Sequence, residues 1–136
     1  MSNYEEQIIS LLQKAGYKFE REKHFSDLKK GKYRFDFCID VDGGQVLLEV
    51  QGQQHYQFIP KFYRSRADFE SAKERDRRKI SYCLAHKIPL YIIPYWEIKK
   101  LSSADDLFQS YFRANTRWKN DIDWQRYKNL TKHFEI

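Results

Sequence analysis

Apolar and polar residues alternate along residues 33–41 and 46–51, and this period of two predicts two β-strands. The Asp-Gly-Gly turn at 42–44 supplies the positive φ angles that tight hairpins require. If the hairpin folds within this turn, the numbers of opposed residues sum to about 85 or 86, so Asp36 faces Glu49 or its neighbour. Two carboxylates are therefore expected to meet on a sheet that is otherwise rich in apolar residues.

The segments around the hairpin carry the patterns of helices and of two further strands. We predict a helix at Asn3–Ala15, an edge strand at 17–25, a helix at 67–86, a buried strand at 88–95, and short helices at 96–101 and 104–112. A helix followed by a buried strand is a βαβ-type crossover, so the last strand is expected beside the hairpin.

The length of 136 residues fits one domain with a substantial core. The order of the elements predicts an α/β (α+β) fold, with a mixed central sheet flanked by helices. We expect the core at residues 1–100 and a helical, basic extension at residues 101–136, packed on or next to that core.

The opposed acids of the hairpin favour a metal site. Like charges that face each other in a sheet destabilise it unless something compensates them. A divalent cation is the obvious compensator, because hard carboxylate oxygens suit Mg²⁺ or Mn²⁺. The alternative is a solvated polar face on which Asp36 and Glu49 are unrelated.

Three further residues extend this candidate site. Asp76 falls in the middle of the apolar stripe of the second helix, where an unpaired carboxylate is costly, and Lys79 falls at its margin. His55 follows Glu49 closely, and a pKa near 6.5 suits a general base, although a lone histidine is usually structural.

The first helix offers one more acid. Glu5 lies at the edge of the apolar stripe, while Glu6 points nearly opposite to it. Glu5 either reaches an interior site or complements the helix dipole in the first turn.

The net charge of +6 favours an anionic partner. Nucleic acid is the commonest such partner, although an acidic protein or a membrane surface also fits the charge. The loop at 57–66 interleaves aromatic and basic residues, a mixture that suits phosphate and base contacts unless its aromatics pack inward. The candidate contact residues are Lys61, Arg64, Arg66, Arg75, Arg78, Arg117 and Lys119.

The remaining features concern the compartment. Cys38 and Cys83 are expected to be buried free thiols of a reducing environment. Neither a signal peptide nor a membrane-spanning run is visible, so we expect a cytoplasmic protein without a membrane partner.

Several separated blocks, FDF, EVQGQQHY, ERDRRK and IPLYIIPY, occur in an order that resembles the PD-(D/E)XK nuclease superfamily. The chain looks closest to the branch of very-short-patch-repair and phage-borne homing-type endonucleases, and the resemblance covers about residues 4–95. It implies a restriction-endonuclease-like fold, a Mg²⁺ or Mn²⁺ cofactor and DNA as substrate. It also implies a phage or mobile-element origin, with a phage-infected cell as one setting.

The resemblance also implies roles for individual residues. The catalytic set would be Glu5, Asp36, Glu49, Gln51, His55, Asp76 and Lys79. The metal ligands would be Asp36, Glu49, Gln51 and the carbonyl of Val50. Asp76 would orient His55 or Lys79, or join a second metal.

One position departs from the superfamily, which often has lysine where this chain has Gln51. Relatives in the nearer branch often have aspartate there. Because Gln51 is neutral, His55, Lys79 or a second metal would have to supply the missing charge.

Three alternatives remain open. The scaffold would serve a nucleic-acid-binding protein without catalysis, a junction-resolving or mismatch-nicking enzyme of the same superfamily, or a protein that binds a host partner through its aromatic surface. The oligomeric state, a homodimer included, does not follow from the sequence.

Overall fold

A four-stranded mixed sheet organises the chain in the computed structural model, which describes residues 3–52, 65–109 and 112–114. The strands lie in the order β1-β2-β3-β4, with helices on both faces. The elements are α1 (Asn3–Ala15), β1 (Phe19–His24), β2 (Arg34–Val41), β3 (Gly44–Gln51), α2 (Arg66–Ala85) and β4 (Leu90–Pro94). This confirms the mixed sheet with flanking helices.

The central hairpin has the register that its sequence predicts. Phe37 pairs with Leu48, and Val41 pairs with Gly44, so opposed residue numbers sum to 85. The turn contains Asp42 and Gly43 with φ angles of 37° and 81°, the left-handed region that such turns need. Strand β1 pairs only with β2 and forms one edge of the sheet, as expected from its charged alternation.

Strand β4 lies beside β3 and parallel to it, with Leu47 opposite Leu90 and Gln51 opposite Pro94. Helix α2 makes the crossover between these two strands, which confirms the predicted βαβ connection. The carboxyl ends of β3 and β4 therefore meet at one end of the sheet. Strand β2 begins at that same end because it runs antiparallel to β3.

Each face of the sheet buries its own apolar cluster. Successive strand residues point to opposite faces, so Leu47 and Leu48 belong to different clusters. The α1-side cluster comprises Ile8, Leu12, Phe37, Ile39, Leu48, Ile93, Ile98, Ala104, Leu107 and Phe112. The α2-side cluster comprises Leu28, Phe35, Cys38, Leu47, Ile80, Cys83, Leu90, Ile92 and Ala114.

Strand β2 breaks its alternation next to Asp36. Phe35 packs in the α2-side cluster, whereas Phe37, two residues further on, packs in the α1-side cluster. In a regular strand these two rings would share a face. The irregularity lies where β2 and β3 stop pairing, since the last pair of opposed residues is Phe37 with Leu48.

The segment after β4 differs from the predicted helices. Tyr95–Lys100 and Ala104–Phe108 are short 3-10 helices, and Ser103 caps the second through a capping box with Asp106. The predicted helix at 104–112 is therefore too long. Its Ala104 and Leu107 nevertheless join the α1-side cluster, so this part of the chain packs on the core.

Residues Arg113 and Ala114 are not helical, which corrects the prediction of a helical extension at this point. Arg113 forms a bridge to Tyr91, and the Ala114 N–H donates to the Leu90 carbonyl at 2.8 Å. Strand β4 lies at an edge of the sheet, where backbone groups have no neighbouring strand. Strand-like pairing of residues 113 and 114 provides hydrogen-bond partners for these groups, which a helix at this point would not do. Residues 115–136 of the predicted extension lie outside the described residues.

Two smaller predictions can be compared with the structure. Both cysteines are buried free thiols, as expected, and burial raises the pKa of Cys83 to about 12. The apolar pattern of the second helix also predicts Leu84 on its buried stripe, but Leu84 is 43% exposed and the last buried residue of α2 is Cys83. Within the described residues, no helix combines the length and the apolar character that crossing a membrane requires.

Candidate functional site

Polar side chains with low exposure gather at the end of the sheet where β3 and β4 finish and β2 starts. The buried polar residues there are Glu49, Gln51 and Lys79, with relative exposures of 4%, 1% and 8%. Charged and amide groups are rarely buried without partners, since burial costs them their hydration. The contacts of these side chains therefore define the candidate site.

Where β2 and β3 stop pairing, the side chains of Asp36 and Glu49 accept hydrogen bonds that backbone carbonyls accept elsewhere between the strands. The Asp36 N–H donates to Oε1 of Glu49 at 3.3 Å, and the Val50 N–H donates to Oδ2 of Asp36 at 2.8 Å. Each carboxylate is thus held by the backbone of the opposite strand. The structure brings the two acids together, as the hairpin register predicts, and fixes their orientation in a way that the register alone does not.

Lys79 joins this pair from α2. Its Nζ lies 3.2 Å from Oε1 of Glu49 and also donates to the carbonyl oxygen of Arg34. The same Nζ stands 5.3 Å from the centroid of the Phe35 ring, within cation–π range. The sequence placed Lys79 at the margin of the helical stripe, but the structure buries it with three favourable contacts.

The pKa of Glu49 is raised from 4.5 to about 8, chiefly by burial and then by the neighbouring charge of Asp36. The Lys79 charge and hydrogen bond act the other way, and the charge of Asp76 adds a smaller upward contribution. Glu49 therefore has two other carboxylates, those of Asp36 and Asp76, and one cation, Lys79, within electrostatic range. Such an arrangement has a deficit of positive charge that a cation can fill.

Gln51 connects β3 to α2. Its Nε2 donates to Oδ2 of Asp76 at 3.5 Å, a long hydrogen bond. Asp76 is half-buried, and it lies one helical turn before Lys79, so the two side chains share a face of α2. Asp76 lies on the inward side of α2, as predicted, and its partner Gln51 is the residue at which the sequence departs from the superfamily that it resembles.

Glu5 forms an ion pair with Arg21 of β1, with Oε2 3.3 Å from Nη2. Arg21 is opposite Phe37 in the register and stands 5.3 Å from its ring centroid, on the face that carries α1. Glu49 and Lys79 belong to the face that carries α2. An auxiliary role for Glu5 stays a prediction, and its observed partner is Arg21.

The predicted nucleic-acid contacts are distributed as follows. Arg75 is exposed and stacks over Tyr33 at 5.8 Å, whereas exposed Arg78 lies 3.6 Å from Glu74. Arg66 begins α2 and stands 5.6 Å from the Phe69 ring. The predicted residues His55, Lys61, Arg64, Arg117 and Lys119 lie outside the described residues.

The donor set decides whether this site suits a metal. Asp36 and Glu49 supply carboxylates, and Gln51 and the Val50 carbonyl supply neutral oxygens, all hard ligands of the type that Mg²⁺ and Mn²⁺ prefer. Each carboxylate has two oxygens with several lone pairs, so the hydrogen bonds to Val50 and Lys79 leave acceptor capacity. Among the described residues no group of three or more His, Cys, Asp or Glu is arranged to hold a metal, so two carboxylates plus neutral oxygens are what this part of the chain offers.

Two contacts of the site have no signal in the sequence. These are the carbonyl of Arg34, which anchors Lys79, and the N–H of Val50, which anchors Asp36. Backbone groups carry no residue-specific pattern, so the sequence does not show which of them a side chain will reach.

Comparisons with known proteins add a partial similarity. No family model matches the chain, and no solved structure matches it. The uncharacterized protein 307L of Invertebrate iridescent virus 6 is 35% identical to the chain over 67 residues. That stretch is 49% of this chain and 34% of the viral protein, so the chain spans about a third of the length of this curated relative. The chain is thus similar to part of a viral protein, and its activity has to be argued from the site.

Proposed function

We propose that this protein is a divalent-metal-dependent DNA endonuclease on a restriction-endonuclease-like scaffold of the PD-(D/E)XK type. The observation that carries the proposal is the contact between Asp36 and Glu49 at the end of β2 and β3, with Lys79 on Glu49. A protein that only binds DNA has no need of two adjoining carboxylates and a buried lysine. The net charge of +6 supports a polyanionic substrate.

Asp36, Glu49, Gln51 and the carbonyl of Val50 would hold Mg²⁺ or Mn²⁺. A bound cation would polarise a phosphodiester and lower the pKa of a bound water, which are two requirements of hydrolysis at neutral pH. The Asp36 carboxylate is already oriented by the Val50 N–H, so little reorganisation is needed to bind a cation.

Lys79, on α2, would have the role that a lysine on the strand has in the wider superfamily. Gln51 occupies that strand position, but the Nζ of Lys79 reaches Glu49 from α2 at 3.2 Å. In this position it can stabilise negative charge that builds on the phosphate during hydrolysis. The hydrogen bond between Gln51 and Asp76 then serves to position α2 and its lysine against β3.

A second function is favoured by one observation. The ion pair between Lys79 and Glu49 already supplies one positive charge to the acids. A protein that binds nucleic acid without cleaving it could use this lysine in place of a metal. In that case cleavage is absent, and the loss of the Asp36 charge leaves DNA binding unchanged.

Incubation of the protein with supercoiled plasmid in Mg²⁺, Mn²⁺ or EDTA tests the proposal. We expect nicked or linear product that requires the metal and disappears in the Asp36→Asn variant. Asn keeps an oxygen that can accept from Val50 N–H, so the substitution removes charge with little effect on the fold.

Asp40→Asn is the matched control. Asp40 lies on the same strand as Asp36, but it is exposed and close to the hairpin turn. This variant should cleave like the wild type. If plasmid, branched DNA and single-stranded DNA all stay intact with wild-type protein and metal, the nuclease proposal is wrong.

A further inference from the structure

A lysine-lined groove lies in the segment that connects β1 to β2, at the same end of the sheet as the candidate site. Its volume is about 560 Å³, and it is lined by Ser26, Asp27, Lys29, Lys30, Lys32 and Tyr33. Half of its lining residues are therefore lysines. The lining residues belong to the segment that connects His24, where β1 ends, to Arg34, where β2 begins. His24 and Arg34 are opposed in the sheet.

The three lysines of the groove are not neutralised. Among the described residues, Lys29, Lys30 and Lys32 form no ion pair or side-chain hydrogen bond, whereas the neighbouring Lys23 and Arg34 pair with Glu20 and Glu22. Lysines at this spacing repel one another, and an anion in the groove would relieve that repulsion. The lysines of the groove thus differ from the neighbouring cations, which are paired with acids.

The groove contains one acid against three lysines, and its carboxylate contacts two residues outside the groove lining. Oδ1 of Asp27 accepts a hydrogen bond from the Tyr82 hydroxyl at 2.6 Å, and its Oδ2 lies 3.6 Å from Nε2 of His86. The Tyr82 hydrogen bond, with a smaller effect of His86, lowers the pKa of Asp27. Asp27 is therefore tied to α2, and the field of the groove is set by its lysines.

Tyr33 joins the groove to the candidate site. Its ring lies under Arg75, which immediately precedes Asp76 on α2, with the guanidinium 5.8 Å from the ring centroid. Tyr33 lies three residues before Asp36, a separation of about 10 Å along an extended chain. One strand of a DNA duplex rises about 3.4 Å per phosphate along the helix axis, so the groove and the acid pair are close enough to contact the same few nucleotides of one strand.

We propose that this lysine groove binds the phosphate backbone of duplex DNA beside the bond that the candidate site cleaves. The inference rests on the proposed function for its substrate, and it adds the surface that positions the strand. The contacts are to phosphates, so they contribute affinity and register without reading the base sequence.

Binding of a fluorescein-labelled duplex of mixed sequence to the full-length protein tests this inference. The titration is done in EDTA, so that no cleavage occurs, at several salt concentrations. The test variant is the triple substitution Lys29→Gln/Lys30→Gln/Lys32→Gln. The control is Lys14→Gln/Lys18→Gln/Lys87→Gln, which removes the same charge from exposed lysines at the opposite end of the sheet.

We expect the groove variant to bind about tenfold or more weakly at roughly 0.1 M salt, while the control changes much less. The slope of log Kd against log salt should fall by about 0.9 for each phosphate that the variant no longer neutralises. Replacement of the same three lysines by arginine should retain binding, because the positive charges remain. Circular dichroism melting of all three variants excludes unfolding as the cause of weaker binding.

Equal affinities of the groove variant and the control would overturn the inference, as would failure of the wild type to bind the duplex at low salt. Groove-dependent binding of poly-glutamate without binding of the duplex would also overturn it, and would assign the groove to an acidic protein. Cleavage is scored separately. Groove-dependent binding without cleavage contradicts the proposed function alone, whereas cleavage with equal binding contradicts the groove alone.

Discussion

The carboxylate of Asp36 accepts a hydrogen bond from the backbone N–H of Val50 at 2.8 Å, while the backbone N–H of Asp36 donates to Glu49. The two acids are thus part of the hydrogen bonding between β2 and β3 as well as candidates for metal binding. Variants at Asp36 must therefore be chosen to separate these two roles.

Asp36→Asn and Asp36→Ala should both abolish cleavage but differ in stability. Asn can still accept from Val50, and it removes a charge that disfavours ionised Glu49, so stability in EDTA should match or exceed the wild type. Alanine removes the acceptor of the Val50 N–H and should cost about 1–3 kcal/mol more than asparagine. Urea unfolding in EDTA measures the difference, and equal stabilities of the two variants would show that this hydrogen bond contributes little.

Without metal, the stability of the protein should fall as the pH rises from about 4.5 towards 8. Glu49 has a pKa of about 8 in the folded state against 4.5 as its ordinary value, so in this window the folded state holds a proton that the unfolded state has lost. The slope is at most about 1.4 kcal/mol per pH unit for one proton, and it vanishes above the folded pKa.

Urea unfolding at a series of pH values in EDTA, with Glu49→Gln beside the wild type, measures this contribution. The variant should show a flatter profile between pH 4.5 and 8. Saturating Mg²⁺ should flatten the wild-type profile as well, because the cation replaces the proton on Glu49. Identical profiles of the wild type and Glu49→Gln would contradict the raised pKa.

Lys79→Met should destabilise the protein more at high pH than at low pH. The substitution leaves the buried carboxylate of Glu49 without its cation, which costs about 3–5 kcal/mol when Glu49 is ionised and less when it is protonated. Arg77→Met, on the same helix, removes an exposed ion pair with Glu74 and should cost at most about 1 kcal/mol at either pH. A Lys79→Met cost that does not change between pH 5 and pH 9 would count against the pairing.

A lysine introduced on β3 should restore part of the cleavage that is lost when Lys79 of α2 is replaced by methionine. Loss of Lys79 should lower the cleavage rate about 100-fold or more. Adding Gln51→Lys in that background places an ammonium beside Asp76, at the strand position where the superfamily that the chain resembles often has lysine, and should recover about tenfold.

Gln51→Met in the same background is the control for this rescue, because it fills the same space without charge. It should leave the rate as low as in Lys79→Met alone. If Gln51→Met and Gln51→Lys give equal rates, charge supplied by lysine is not what the reaction needs at this point. Single-turnover rates with excess protein over plasmid make the comparison independent of product release.

The sequence predicts most of the sheet and the position of the acid pair because both follow from period-two alternation and a turn. Placing the turn at 42–44 leaves two registers, in which opposed residue numbers sum to 85 or 86, and the structure has the first of these, which opposes Phe37 to Leu48. The helix at Asn3–Ala15 is equally clear, because an apolar stripe continues up to a glycine at position 16 with a φ of 78°.

Other features depend on contacts that no local pattern encodes. A helical wheel gives the angle of Lys79 on α2, but its burial depends on how closely the helix approaches the start of β2. The bridge between Arg113 and Tyr91 involves a single pair of residues, too few to show any period. The role of Gln51 depends on Asp76, which lies 25 positions away in the chain.

The α1-side cluster joins the two ends of the described chain, and this has a consequence for the order of folding. Ile8 and Leu12 of the first helix pack in the same cluster as Leu107 and Phe112. During synthesis, α1 must therefore wait for residues about 100 positions later before its apolar face is fully covered. Contacts of such long range slow folding, so a nascent chain should expose part of α1 to chaperones until the whole sheet and the residues up to Phe112 have left the ribosome.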